Sequence, residues 1–456
     1  MTSPVRVLWF RRDLRLHDHP ALMEAADGGD VLALFVLDPR LLDGGAPRVA
    51  YLIRAVRALA EDLAGRGATL VLRTGRPETV VPEVAAEAGA ESVHISADFT
   101  PYGSARDRRV EDVLEVPLVR TGSPYAVAPG RIVKADGDPY QVFTPFYRAW
   151  RDHGWRAPAD SEPDRISWRS AASEDLPEEP AHEATLPPAG EAAASSQWQR
   201  FLDDDLPGYD QDRDRPDLDV TSRASPHLKL GTIHPRTMLA DLGRRRSNGA
   251  EAYRRQIAWR EFYGAVLHFW PGSAHGYLHD ELASMAYDTG AEADTAFRAW
   301  QQGRTGYPLV DAGMRQLRHE GWMHNRVRML AASFLVKDLH QEWTRGAAHF
   351  MDHLIDGDLA NNQHGWQWVA GTGTDAAPYF RVFNPVLQGE KFDPDGTYVK
   401  RWVPELAELS AAVVHHPWDA DGGVPDGYPH PIVDHAEERR EALDRYHAAR
   451  DAGRRA

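Results

Sequence analysis

The first 121 residues alternate short apolar runs with amphipathic stretches, and this alternation constrains the fold more than any other feature. The apolar runs at residues 5–10, 31–38, 69–74, 92–98 and 117–121 are typical of buried strands. The stretches between them, such as residues 48–64 and 78–88, have helical periodicity. Because strands that alternate with helices form parallel sheets, we predict an α/β, Rossmann-like domain with five parallel strands.

Two glycine patterns bear on nucleotide binding in such a fold. The turn after the first predicted strand, residues 10–15, contains no glycine, so the usual dinucleotide fingerprint Gly-x-Gly-x-x-Gly is missing there. Residues 371–376 do match Gly-x-Gly-x-x-Ala, but they follow a tryptophan-rich helical stretch and not a strand. We therefore expect no dinucleotide bound in the usual way at either place.

The second half of the chain has a different pattern. Residues 155–200 are rich in Pro, Glu, Ala and Ser and have weak periodicity, which is typical of a connecting segment. From about residue 200 onward helical patterns dominate, most clearly over residues 313–340. We predict an α/β domain at residues 1–130, an interdomain linker at 131–200 and a larger all-α domain at 201–456.

Composition excludes several classes of function. The chain has no cysteine, which excludes disulfides, thiol nucleophiles and cysteine-held iron–sulfur clusters. Its 21 histidines show no His-Glu-x-x-His spacing, and we expect no metal site. No apolar run approaches the roughly 18 residues that span a bilayer, and we expect a cytoplasmic protein, with nothing that demands more than a monomer. The net charge of −16 argues against nucleic acid, yet residues 254–260 and 315–328 are locally basic, which leaves DNA open.

Two patterns suit ligands but also have plainer interpretations. Thr221, Ser222, Arg223 and Ser225 precede a helical run, where hydroxyls and a guanidinium suit a phosphate or simply cap the helix. The sequence from Asp356 to Trp368 contains two carboxylates, two asparagines and two tryptophans. It suits a divalent cation, the edge of an aromatic cofactor, or a turn followed by a capped helix.

Two helical faces combine polar and aromatic groups. One face carries residues at i, i+3, i+4 and i+7, namely Gln256, Trp259, Arg260 and Tyr263. Asn325 and Met329 share another face at i and i+4. Both faces suit a pocket for a flat ligand with polar edges, and both also suit core packing.

Residues 8–16, 306–315, 321–326 and 356–368, with the continuation 371–385, resemble signature motifs of the photolyase/cryptochrome family. The similarity covers almost the whole chain, and the pattern is most similar to class I photolyases of cyclobutane pyrimidine dimers. The resemblance implies FAD in the helical domain, damaged DNA as the partner, and light-driven repair by electron transfer from reduced flavin to a flipped-out dimer.

The resemblance also implies roles for individual residues. The phosphate and ribose side of FAD would be held by Tyr209, Thr221, Ser222, Arg223 and Ser225. Asp356 and Asp358 would bond to the flavin and adenosine portions, Arg328 would pair with Asp356 and favour an anionic reduced flavin, and Asn362 would face flavin N5. The DNA side would comprise Gln256, Trp259, Arg260, Asn325, Arg326, Met329, Trp368 and Arg381, with both tryptophans stacking on the dimer and Arg326 and Arg381 on flanking phosphates.

Some features depart from the family pattern or leave alternatives open. Trp366 and Trp343 resemble the inner members of a tryptophan chain for flavin photoreduction, but Gly290 stands where the outer tryptophan is usual, with Tyr287 as a substitute. Gln256 stands where class I enzymes usually have Glu, which keeps (6-4) photoproduct repair open, although His324-Asn325 replaces the His-His of those enzymes. A cryptochrome-like light sensor is the other alternative, against which Asn362 counts.

A second chromophore, the antenna, would bind in the α/β domain. Residues 98–103 and Arg48 upstream are more similar to members that bind 8-hydroxy-deazaflavin than to members that bind methenyl-tetrahydrofolate. We therefore favour the deazaflavin, with Arg48 and Asp98 as antenna-binding residues.

Overall fold

Five parallel strands form a single sheet in the computed structural model, which describes residues 3–374 and 380–453. The strands are β1 (Val5–Phe10), β2 (Asp30–Leu37), β3 (Val71–Thr74), β4 (Ala90–Ile95) and β5 (Leu118–Arg120). Their order is β3-β2-β1-β4-β5, and every neighbouring pair is parallel. The predicted α/β fold with five parallel strands is therefore confirmed, with strand ends shifted by three residues at most.

The described residues outside the sheet are mainly helical. The helices up to Phe269 are α1 (Pro20–Ala26), α2 (Pro39–Leu42), α3 (Ala46–Ala64), α4 (Pro77–Glu87), α5 (Pro101–Glu111), α6 (Phe143–His153), α7 (Glu191–Asp204), α8 (Tyr209–Asp212), α9 (Ser225–Leu230), α10 (Pro235–Gly243) and α11 (Asn248–Phe269). The later helices are α12 (Ala291–Gln302), α13 (Pro308–Glu320), α14 (Asn325–Lys337), α15 (Trp343–His353), α16 (Leu359–Ala370), α17 (Pro385–Phe392), α18 (Thr397–Trp402) and α19 (His435–Gly453). Beyond Arg120, the part of the chain that is described contains no further strand, as the helical periodicity predicts.

The chain divides into two compact units. The first unit comprises Met1–His182, Leu186–Asp210 and Ser222–Pro271, and the second comprises Glu183–Thr185, Gln211–Thr221 and Gly272–Ala456. The limits of these units do not coincide with the predicted domain boundaries near residues 130 and 200. The predicted boundaries are not tested by this division and remain a prediction. The predicted linker also contains the regular helix α6, whose Phe146 and Trp150 are buried.

The helical pattern over residues 313–340 belongs to two helices and not to one. Gly321 ends α13 with a positive φ of 62°, and its N–H donates to the carbonyl of Leu317. The ring of His324 then accepts from the N–H of Arg326 and begins α14. Because both helices bury an apolar face in one core, the hydrophobic period continues across the break and conceals it.

A buried carboxylate fixes the long helix α11 within the first unit. Glu261 is 2% exposed. It accepts hydrogen bonds from the backbone N–H groups of Ala126 and Val127 and from Nε1 of Trp150 in α6. Burial raises the pKa of Glu261, and the three donors act in the opposite direction. The side chain thus joins α11 to α6 and to the segment that follows the sheet.

We expect Glu261→Ala to lower the free energy of unfolding by about 3 kcal/mol, because it leaves buried N–H donors without an acceptor. Urea unfolding followed by circular dichroism measures this loss. Glu251→Ala is the matched control on the same helix, since Glu251 is 40% exposed and pairs with Arg151 and Arg254. Equal losses for the two variants would contradict the anchoring role of Glu261.

Candidate functional site

The predicted phosphate-binding segment has a strained backbone. Arg223 has a φ of 47°, in the left-handed region that residues other than glycine seldom adopt. The Ser222 hydroxyl lies 2.7 Å from the hydroxyl of Tyr253, and Ser225 begins α9. Within residues 3–374 and 380–453, Oγ1 of Thr221 is buried and has no hydrogen-bond partner. A buried hydroxyl of this kind fits a ligand with phosphate or ribose oxygens.

Tyr209 lies in an aromatic cluster of the first unit. Its ring is 5.2 Å from that of Tyr253 and 5.4 Å from that of Phe201. Trp198 packs on the same two rings. Burial raises the pKa of Tyr253, so this phenol is neutral. The cluster holds Tyr209 in one position within the first unit.

The predicted face of α11 is only partly available for binding. The ring of Trp259 stacks on Phe143 at 3.8 Å, which covers one of its faces, and Gln256 is half-buried. Arg260 donates to the carbonyls of Pro124 (2.9 Å) and Leu228 (3.2 Å), and its guanidinium lies over the ring of Tyr125. Arg260 thus has partners inside the first unit, and its contact with DNA stays a prediction.

In the second unit, the predicted pair of Arg328 and Asp356 is formed. Nη1 and Nη2 of Arg328 donate to the two carboxylate oxygens of Asp356 at 3.2 and 2.8 Å, and Nε donates to the carbonyl of Met323. The Asp356 side chain is 2% exposed, whereas that of Arg328 is 23% exposed. The guanidinium therefore reaches the edge of the protein interior with a fixed orientation.

Asp358 begins α16 as its N-cap. One carboxylate oxygen accepts from the backbone N–H of Asn361 at 3.1 Å and from its side-chain amide at 2.8 Å. The interpretation as a capped helix is therefore right for Asp358, and a role toward a cofactor is compatible with it. Among the residues described, no cluster of acidic side chains and histidines has the arrangement of a metal site.

Asn362 and Trp366 lie one turn apart on α16, against α15. Nδ2 of Asn362 donates to the carbonyl of Ala347 (3.1 Å) and to Oε1 of Gln363 (2.9 Å). The ring of Trp366 covers Gly346, where an added Cβ would meet the ring at 2.2 Å. Trp343 lies one turn before Gly346 on the same face of α15 and is fully buried. The two tryptophans of the predicted electron route thus adjoin the same short stretch of α15.

The residues predicted at the lesion and at flanking phosphates belong largely to α14 and the segment before α17. Nδ2 of Asn325 lies 3.8 Å from Sδ of Met329, as the i, i+4 spacing predicts. Arg326 donates to Asp214 at 2.8 Å and lies over the ring of Phe392. Trp368 is half-buried at the edge of the helical core.

Arg326 and Arg381 line one open cavity of about 780 Å³ in the second unit. Arg215, Lys391, Asn384 and Gln388 line it as well, and sequence reasoning missed them. The carboxylates of Asp212 and Asp214 also line the cavity, so its four cations leave it with a modest positive charge in a chain that is acidic as a whole.

The predicted antenna residue Asp98 is part of a buried charged cluster. Burial alone would raise the pKa of Asp98, but the charges of Arg12 and Arg106 lower it. The Arg106 guanidinium lies 5.1 Å from the ring centre of Trp9 and 5.8 Å from that of Tyr102. Arg48 lies against Gly44. Trp9 and Arg106 were not predicted as antenna residues, whereas Tyr102 lies within the predicted stretch 98–103.

The glycine pattern at residues 371–376 ends a helix. Gly371 has a φ of 85°, and its N–H donates back to the carbonyl of Gln367, as at a helix C-terminus. Asp375 and Ala376 lie outside the described residues. The first four residues of the pattern thus follow α16 and not a strand, which agrees with the expectation that no dinucleotide fingerprint is present.

Comparisons with known proteins identify the family. Residues 6–164 match the family described as DNA photolyase, and residues 253–448 match the FAD binding domain of DNA photolyase. The chain is 42% identical to the deoxyribodipyrimidine photo-lyase of Streptomyces griseus over 95% of this chain and 97% of the relative.

No helix among the described residues is long and apolar enough to cross a membrane.

Two solved structures share the whole fold. A class III photolyase from Agrobacterium tumefaciens has a TM-score of 0.91 and 38% identity, covering 99% of this chain and 98% of that one. A cryptochrome from Synechocystis has a TM-score of 0.87 and 28% identity, covering 97% of this chain and 99% of that one. The predicted resemblance is thereby confirmed, whereas assignment to class I remains a prediction. The chain belongs to the DNA photolyase family.

Proposed function

We propose that this protein repairs cyclobutane pyrimidine dimers in DNA with light, as a deoxyribodipyrimidine photo-lyase. The observation that carries the proposal is the near-full-length similarity to a protein of that name at 42% identity. The site residues support it, since the Arg328–Asp356 pair and Asn362 are each held by side-chain bonds within the second unit. Because genomic DNA is the proposed substrate, we place the enzyme in the cytoplasm.

The residues of this chain fit FAD. Bound FAD in its reduced form supplies the photoexcited electron that splits the dimer. By the family resemblance, Tyr209, Ser222, Arg223 and Ser225 would hold the phosphate and ribose side. The unpaired hydroxyl of Thr221 is a further candidate for this role. The fixed guanidinium of Arg328 would favour an anionic reduced ring by its charge.

Asn362 has a geometry suited to a ring nitrogen that carries a proton. Both hydrogen bonds described for its amide group use Nδ2, which orients the amide oxygen as an acceptor. An N–H group such as flavin N5–H is a matching donor. This supports a role for Asn362 in holding that proton.

The DNA side of the proposal rests on aromatic and cationic groups. Trp259 is held by its stack on Phe143, and Trp368 lies at the edge of the helical core, so each ring is pre-positioned to stack on a flipped base. Asn325 and Met329 would contact the dimer, and Gln256 would hydrogen-bond a thymine carbonyl. Arg326 and Arg381 would bind flanking phosphates.

Two other functions remain as alternatives. The cryptochrome neighbour, at 28% identity, keeps a light sensor without repair activity under consideration. Gln256 keeps repair of (6-4) photoproducts under consideration, because Gln replaces the acid usual in dimer photolyases. A repair assay separates the three.

We expect the chemically reduced protein to restore two thymines from an oligonucleotide with one thymine dimer, under blue light and not in darkness. Chromatography of the products measures the repair. The same protein should leave a (6-4) lesion unchanged. An absence of repair by protein with bound reduced FAD would overturn the proposed function.

We expect Arg326→Ala to weaken binding to a dimer-containing duplex and to reduce the salt slope of the affinity by about 1, as for the loss of one phosphate contact. Asp214→Asn should have the opposite effect, since Asp214 neutralises Arg326. Fluorescence anisotropy at several salt concentrations measures both. Arg318→Ala, at an exposed arginine of α13, is the control, and a slope equal to that of Arg326→Ala would contradict the assignment.

We further propose 8-hydroxy-deazaflavin as the antenna. Arg106 lies near the rings of Trp9 and Tyr102, and Arg12 lies beside Asp98. This combination of rings and cations suits an aromatic chromophore whose ring hydroxyl ionises.

We expect the action spectrum of repair, measured on protein that has been supplied with both chromophores, to follow the deazaflavin band. Asp98→Asn should lower the deazaflavin content and leave the FAD content unchanged, because Asp98 orders the arginines around it. A spectrum with a folate shoulder and no deazaflavin band would refute the choice.

A further inference from the structure

The place of the usual outer tryptophan is occupied by Gly290, which offers no ring, yet an aromatic pair adjoins the inner tryptophan Trp343 at another position. The ring of Tyr277 meets that of Trp343 edge-on, with centres 6.3 Å apart. The hydroxyl oxygens of Tyr277 and Tyr287 are 3.3 Å apart. Both tyrosines are only half-buried, whereas Trp343 is fully buried.

The tyrosine pair extends an aromatic series that begins on α16. Trp366 lies over Gly346, and Trp343 precedes Gly346 by one turn on the same face of α15. Tyr277 and then Tyr287 continue from Trp343 toward solvent. All four rings belong to the second unit.

Trp343 and Tyr277 differ in whether a proton acceptor lies beside the group that would be oxidised. Within the described parts of the chain, Nε1 of Trp343 is buried and has no hydrogen-bond partner. An oxidised Trp343 would therefore keep its proton and remain a strong oxidant. The Tyr277 hydroxyl, in contrast, donates to Oε1 of Glu342 at 3.0 Å.

Glu342 is oriented to receive a proton. Its other carboxylate oxygen accepts from the hydroxyl of Thr344 at 2.5 Å, which holds the carboxylate toward Tyr277. Burial and the neighbouring Tyr287 hydroxyl raise the pKa of Tyr277, so the phenol is protonated until it is oxidised. A base within hydrogen-bond reach is what oxidation of a phenol requires.

We propose that Tyr277 and Tyr287 are the outer members of the electron route to the flavin and that Glu342 is the proton acceptor of Tyr277. The proposal rests on the proposed flavoenzyme function, in which Trp366 and Trp343 would carry an electron toward bound FAD. It replaces the usual outer tryptophan by a route in which electron and proton move together.

The step balances in atoms and electrons. One electron passes from the Tyr277 phenol to the oxidised indole of Trp343, the phenolic O–H bond breaks, and its proton moves to Oε1 of Glu342. The products are neutral Trp343, a phenoxyl radical on Tyr277 and a protonated Glu342. Tyr287 then gives one hydrogen atom to Tyr277, an external thiol gives one hydrogen atom to Tyr287 and becomes a thiyl radical, and Glu342 releases its proton to solvent.

The test uses FAD-loaded full-length protein with a thiol reductant under blue light. We expect electron paramagnetic resonance of the wild type to detect a neutral tyrosyl radical. Tyr277→Phe should lose this radical and slow light-driven flavin reduction, while Tyr287→Phe should keep a radical on Tyr277 that the thiol reduces more slowly. Glu342→Gln keeps both rings and should slow tyrosine oxidation by about 100-fold, with loss of the solvent isotope effect in D₂O.

Tyr446→Phe is the matched control, because Tyr446 packs on the same small apolar cluster as Tyr287. It should behave as the wild type. A tyrosyl radical that persists in the Tyr277→Phe, Tyr287→Phe double variant, or a wild type with tryptophan radicals alone, would overturn the proposal.

If the proposed repair function is wrong, the chemically reduced wild type repairs no dimer, whether or not the tyrosyl radical forms. This outcome differs from the loss of the tyrosyl radical that tests the electron route. Trp366→Phe tests the inner part of the route, since it should prevent both tryptophan and tyrosyl radicals. Unchanged tyrosyl radical formation in Trp366→Phe would overturn the route as drawn.

Discussion

The contact of Trp366 with Gly346 sets the spacing of α15 and α16, and the candidate site of the second unit depends on that spacing. A glycine in the middle of a helix costs about 1 kcal/mol relative to alanine, yet any Cβ at position 346 would collide with the indole. Asn362, one turn away, reaches the carbonyl of Ala347 only because the helices approach so closely. The neighbouring polar groups are thus arranged around the contact between the buried Trp366 indole and the helix backbone at Gly346.

Sequence periodicity predicts the elements of this protein better than their ends or partners. The strands were predictable because parallel strands covered on both sides leave continuous apolar runs between helices. The break at Gly321 was not, because an apolar period continues through it when two helices share a core. The hydrogen bonds of Gly321 and His324 that end one helix and begin the next leave no mark in the apolar pattern.

Some contacts of the site residues follow from local spacing in the sequence, and others depend on tertiary structure. The contact of Asn325 with Met329 follows from helical spacing alone. The pairing of Arg328 with Asp356 was implied by family resemblance, since 28 residues separate the two in sequence. The carbonyl partners of Arg260, the proximity of Tyr277 to Trp343 and the lining of the basic cavity depend on tertiary contacts that have no local signal.

The first turn of α14 has a consequence for how this protein tolerates change. Three side chains leave that single turn toward different partners, with Asn325 directed to Met329, Arg326 to Asp214 and Arg328 to Asp356. A small rotation or translation of the turn therefore displaces all three at once. Substitutions there should show strong energetic coupling in double-mutant cycles, and the turn is expected to change in evolution as a block and not residue by residue.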